Sequence, residues 1–168
     1  MSLSMYTASV PILVRMLDNL DGILDKAVAH AEANKIDPAV LINSRLYPDM
    51  LPLASQIRIA SDTAKGCAAR LADMKPPRYE DNEASFPELK ERIRKTIDYL
   101  NTFRPEQIDG SEQRTITLQL RGNAVSMPGQ QYLHNFVYAN FYFHVATAYA
   151  ILRHNGVELG KNDFLGAL

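Results

Sequence analysis

The sequence predicts an all-α fold, a four-helix bundle with a short β-hairpin between the third and fourth helices. Three observations carry this expectation. Apolar residues recur at three- and four-residue steps in four separate segments. Between the third and fourth of these, Ile116, Leu118 and Leu120 alternate with polar neighbours instead. Proline-containing polar stretches such as DMKPPRYEDNE punctuate the helical segments. With 168 residues, 46 % apolar and 22 % charged, the chain has the size and balance of one folded domain spanning residues 1–168.

In the first helix Tyr6, Val10, Leu13, Leu17, Leu20, Leu24 and Val28 mark one face, and the pattern runs out in the polar stretch from Glu32 to Asp37. LINSRLYPDMLPL follows as an irregular connection, with Pro48 and Pro52 suited to the first turn of the next helix. Leu53, Ile57, Ala60, Ala64, Cys67 and Leu71 form the second stripe. The third helix opens at Ser85, where Ser85 and Glu88 have the spacing of a capping box. Phe86, Leu89, Ile93, Ile97 and Leu100 are its buried positions. Glu88 with Arg92, Glu91 with Lys95 and Arg94 with Asp98 give its other side opposite charges one turn apart, the pattern of a solvated face.

In the hairpin, Arg121, Gly122 and Asn123 offer the turn. Two strands alone are marginal in water, so the hairpin must pack on the bundle. The fourth helix carries His144 at the centre of an apolar stripe, with Leu133, Val137, Asn140, Ala148 and Ile151 on the same side. Tyr138, Tyr142, Val145, Tyr149 and Leu152 cover the opposite side, so the hairpin, the C-terminal tail or a second subunit must shield it. Arg153 and His154 suit the negative end of the helix dipole, and Asn155-Gly156 should end the helix. His134, Tyr138 and Tyr142 read as interface or surface residues, and His30 and His154 as solvated.

Several function classes are disfavoured. A formal net charge of −1 provides no field for nucleic acid, and no basic stripe is present. No apolar run approaches the roughly 20 residues of a membrane span. The first residues lack a basic n-region and a small-residue cleavage site, so a cytoplasmic protein is expected. Cys67 stands alone, on a buried stripe, which excludes an intrachain disulfide and a multi-thiolate metal site. No phosphate-binding loop or serine elbow is recognisable.

The run HVATAYAILRHNGVELGKNDFL resembles the last helix and tail of the DinB/YfiT-like superfamily of four-helix bundles, through Leu152-Arg153, Gly156 and Asp163-Phe164. With YPDMLPLASQIRIASDTAK and NEASFPELKERIRKTIDYL, the resemblance extends over nearly the whole chain, to a branch of unknown function. It implies a DinB-like bundle. It also implies a comparison with members in which one histidine on the second helix and two on the fourth hold zinc or nickel. Counting back from Leu152-Arg153, those positions fall on Gln56, Asn140 and His144. Two carboxamides and one imidazole are a poor donor set, even with Asp49 nearby, so no metal is assigned and zinc or nickel at His144 is only a weak reading.

For His144, two readings of the residues stay open. One is a core histidine hydrogen-bonded to Asn140, Gln56 or a tyrosine. The other is a general acid/base or ligand anchor, with Gln56 and Asn140 orienting a polar small molecule in an interhelical pocket. Three functions are accordingly in competition. The first is a small-molecule-binding protein that uses Gln56, Asn140 and His144. The second is a metal-dependent thiol transferase, hydrolase or isomerase with His144 as the catalytic residue, as the resemblance implies. The third is a structural or partner-binding homodimer that uses the aromatic side of helix four. No nucleic-acid or membrane partner is expected.

Overall fold

The computed structural model describes residues 3–120 and 122–167, and the chain is mostly helical. Its long elements are α1 (Val10–Asn34), α3 (Leu53–Leu71), α4 (Phe86–Asn101) and α7 (Tyr138–His154), with short helices α2 (Pro38–Asn43), α5 (Pro105–Ile108), α6 (Gly129–Gln131) and α8 (Lys161–Leu165) between and after them. α3 packs against both α4 and α7, while α1 closes the bundle against α4 and, more lightly, α7. The predicted stripes form the core. Leu13, Leu17, Leu20 and Leu24 of α1 are fully buried, as are Leu53, Ile57, Ala60, Ala64, Cys67 and Leu71 of α3. Each buried leucine contributes about 1.5–3 kcal/mol relative to exposure.

Local chemistry sets the helix ends. α1 stops where Lys35 takes a left-handed conformation at φ 54° and the amide of Ile36 reaches back to Ala31. α2 ends inside the connection expected to be irregular and begins just ahead of it, where the Asp37 carboxylate accepts from the Ala39 amide and Pro38 occupies the first helical position. α4 begins with the predicted box: the Ser85 hydroxyl accepts from the Glu88 amide, and the Glu88 carboxylate accepts from the Ser85 amide.

The solvated face expected on α4 is different at Arg92. Glu88 turns back to cap its own helix, so it does not pair with Arg92. Arg92 is buried and reaches Asp62 of α3 at 2.9 Å, Asp81 at 3.0 Å and Glu83 at 2.7 Å. Arg58 of α3 bonds the same Glu83 at 2.8 Å. Tyr79 lies beneath the ammonium groups of Lys65 and Lys95, 3.9 and 4.4 Å from the ring centroid. These contacts strap the loop between α3 and α4 across both helices.

The hairpin forms as predicted, with β1 (Thr115–Leu120) antiparallel to β2 (Asn123–Pro128) and Leu120 opposite Asn123. Ile116 and Leu118 face the core, while most of β2 is exposed. Gly122 takes φ +83°, as a two-residue turn requires; Arg121 lies outside the described residues. Beyond the hairpin the chain crosses beneath Ser111, and the Gln130 amide bonds the Glu112 carbonyl at 3.0 Å. A Cβ at Gly129 would overlap the Ser111 carbonyl oxygen.

A π-helical turn, Tyr132–Val137, follows and runs directly into α7. Tyr132, Leu133 and Val137 are fully buried. The chain itself shields the tyrosine side of α7. The Tyr138 hydroxyl donates to the Ala8 carbonyl ahead of α1, and the Tyr149 ring meets Phe164 of α8 at 6.2 Å. Tyr138 therefore makes an intramolecular contact, where an interface or surface role was expected. Val145 and Leu152 on the same side are fully buried.

Two outcomes follow from this packing. Gly129→Ala should destabilise the protein by about 2–4 kcal/mol in urea unfolding, since a rigid backbone carbonyl stands where the methyl must go. Glu83 supplies the second. Burial pushes its carboxyl up, but hydrogen bonds from Arg92, its own backbone and Arg58 together hold it below the ordinary carboxylate value. Its contribution is therefore present above the unfolded glutamate pKa and lost as pH falls through the lowered folded value. Glu83→Gln should cost stability at pH 7, and the difference from the parent should shrink below about pH 4.

Candidate functional site

α3 and α7 run antiparallel, so Gln56 near the start of α3 lies beside His144 in the middle of α7. Thr63, two turns further along α3, lies beside Asn140. Gln56 is buried, and its amide nitrogen donates to the Leu51 carbonyl at 2.9 Å. Its amide oxygen lies 2.7 Å from His144 Nδ1. A carbonyl only accepts, so the Leu51 contact directs the nitrogen of Gln56 one way and its oxygen toward the imidazole. Nδ1 must then carry the proton, and Nε2 keeps its lone pair.

The ring is 8 % exposed, and among the described residues Nε2 has no hydrogen-bond partner yet is not sealed from solvent. Burial pushes the His144 pKa below the ordinary histidine value, so the imidazole is neutral at pH 7. Phe143 flanks this opening: it is 57 % exposed, with its ring edge-on to His144 at 5.2 Å. The site is a neutral acceptor nitrogen at the protein surface, with an apolar margin.

Of the three expected ligand-binding residues, the structure brings Gln56 and His144 together and turns Asn140 elsewhere. Asn140 donates from its amide nitrogen to the Thr63 hydroxyl at 2.7 Å. Asp49 is exposed and makes no hydrogen bond to this set. Leu51, Phe143 and Thr63 are the residues that sequence reasoning missed. Phe143 lies between the predicted stripe and the tyrosine side of its helix, a position at which periodicity alone signals nothing.

The donor set does not fit a metal ion. Gln56 is engaged at both ends of its amide, which leaves Nε2 as the one open nitrogen here. No group of three histidine, cysteine, aspartate or glutamate side chains able to hold a metal occurs among the described residues. Cys67 is fully buried, and burial pushes its thiol up to about 12, so it is an inert core residue. His134 and His154 are exposed, and His30 is half-buried against Asn34 and Gly156.

Hollows of the surface lie elsewhere. One of about 770 Å³ is bounded by His30, Arg153 and the tail, and one of about 420 Å³ by Tyr79 and Arg92. Neither of these hollows is lined by Gln56, Asn140 or His144. No helix among the described residues is long and apolar enough to cross a membrane.

The arrangement at His144 sets its titration. The imidazole resonance of His144, followed by NMR against pH, should show a midpoint below about 6.5. Stability should fall as pH drops below that ordinary value, where the unfolded chain takes up a proton that folded His144 resists. In Gln56→Leu the two tautomers should mix, visible in the ring nitrogen shifts.

No curated protein matches the chain. Among solved structures, a DinB family member from Shewanella denitrificans superposes with a TM-score of 0.88 at 40% sequence identity, over 97% of this chain and 92% of that one. Residues 5–165 match the family described as Domain of unknown function (DUF1993). With the bundle, the hairpin and the final helix in place, the chain belongs to the DUF1993 family, within the DinB-like superfamily of helical bundles.

Proposed function

We propose that this bundle binds a small molecule at the surface opening around His144. The supporting observation is the relay from the Leu51 carbonyl through Gln56 to His144, which fixes one tautomer and leaves Nε2 as an outward acceptor. A ligand suited to it offers a hydroxyl, thiol or amide N–H to Nε2 and rests an apolar part on Phe143. A neutral imidazole of fixed tautomer can also take the proton from such a hydroxyl or thiol. His144 is then the catalytic base, should the ligand be a substrate.

A thermal-shift screen over hydroxyl- and thiol-bearing metabolites tests the reading. Compounds that raise the melting temperature of the parent should lose most of that effect in His144→Ala and part of it in Phe143→Ala. Stabilisation that is equal in parent and His144→Ala, or no stabilisation by any compound, would overturn it.

The exposure of Phe143 supports a second reading, a homodimer formed through this side of α7. The tyrosines of α7 are partly buried, so Phe143, more exposed than any of them, is the aromatic residue on that helix most available for such contact. Sedimentation equilibrium should then show a dimer that Phe143→Glu dissociates, and a monomeric parent at micromolar concentration would remove this alternative.

A further inference from the structure

At the far end of α3 from Gln56, about 21 Å along the helix, Arg70 is held in place by a neutral partner. Its guanidinium folds back over Gly66, one turn earlier, where a Cβ would overlap Nη1. Nη1 donates to the hydroxyl of Tyr132 at 3.1 Å, and Tyr132 is itself fully buried in the π-helical turn. Burial pushes the Tyr132 hydroxyl up to about 12, so it stays a neutral acceptor and does not neutralise the arginine. Among the described residues no carboxylate pairs with Arg70, whereas Arg58 and Arg92 both do have acidic partners.

This fixed, unneutralised guanidinium borders a hollow of about 280 Å³ between the end of α3 and the hairpin. Lys75 lies on one side of the hollow, and Thr115 and Thr117 project from the outward face of β1 on the other. Asp73 is also on the rim, which leaves the hollow with a net single positive charge from its side chains. A guanidinium presents several N–H groups in one plane, and only one of its terminal nitrogens is engaged by Tyr132. The remaining fork matches two oxygens of one anionic group.

We propose that this hollow is a binding site for a small oxyanion, the carboxylate or phosphate group of a metabolite. Arg70 binds the oxyanion, Lys75 adds charge, and the Thr115 hydroxyl sets its orientation, the Thr117 hydroxyl being bonded to Ser126 across the hairpin at 2.8 Å. Gly66 is the positioning residue, because its missing side chain is what lets the guanidinium lie where it does.

Isothermal titration of the full chain with inorganic phosphate, and separately with succinate, tests this at low ionic strength, with chloride at matched ionic strength as the control. Saturable binding of either probe at one site per chain is expected, and the tighter probe assigns the group as phosphate or carboxylate. Arg70→Gln should weaken it about tenfold or more, the loss of one charge-assisted hydrogen-bond pair. Lys75→Gln, at an exposed position, should weaken it less while leaving the fold unchanged. Gly66→Ala is the decisive variant, since its methyl displaces the guanidinium while every charge is kept. Alanine's gain in helix preference offsets the lost bond to Tyr132, so the melting temperature should move little while binding weakens. Absence of saturation with both probes, full displacement by chloride, or affinity unchanged in Arg70→Gln and Gly66→Ala would overturn the proposal.

Discussion

The structure depends on one constraint: α3 is buried nearly all round, yet its sequence is not apolar all round. Gln56, Ser61, Thr63 and Lys65 are buried along it, and Arg58, Asp62 and Arg70 are partly so. A buried polar group without a partner costs about 1–3 kcal/mol, so nearly every one of these side chains finds a partner on a neighbouring element. Gln56 and Thr63 fix the rotation and depth of α7 through His144 and Asn140. Asp62 and Arg58 fix α4 and its preceding loop through Arg92 and Glu83. Arg70 reaches the π-helical turn through Tyr132. Apolar packing makes the bundle compact, and this polar lattice settles how its members are turned.

His144 gains its chemical character from the same lattice. An isolated histidine on an apolar face could hold either tautomer or rotate to meet any donor. Here Gln56, held by the Leu51 carbonyl, imposes one proton position, and the low polarity of the surroundings keeps the ring uncharged. The superfamily's metal positions fall here on Gln56, Asn140 and His144, and two neutral carboxamides beside one imidazole are poor donors to zinc or nickel.

How much of this was legible in the sequence follows from what each signal contains. The four stripes, the Ser85–Glu88 box and the alternation in β1 are local patterns, and each appears where expected. The pairing of Gln56 with His144 was also accessible, because the resemblance to the superfamily sets its histidine positions on both residues. Asn140 was harder, since its choice of Thr63 depends on how far α7 slides along α3, which no single helix encodes. Arg92 was misread because the one-turn pairing rule considers only the residues of its own helix. Its real partners lie on α3 and in a proline-rich loop whose charges look solvated until the loop is folded over. Phe143 was invisible because exposure of an aromatic residue is decided by what the neighbouring loop leaves uncovered.

The π-helical turn ahead of α7 has a consequence for how this fold tolerates change in length. Such a turn is an α-helix carrying one residue too many, absorbed locally as a bulge. Loss of a single residue between Tyr132 and Val137 can therefore restore ordinary helix while leaving both flanks in phase. The same loss a few residues later would rotate everything downstream by about 100° and swing His144 away from Gln56. The chain thus has a point just before its most constrained helix where insertions and deletions are decoupled from the orientation of the site.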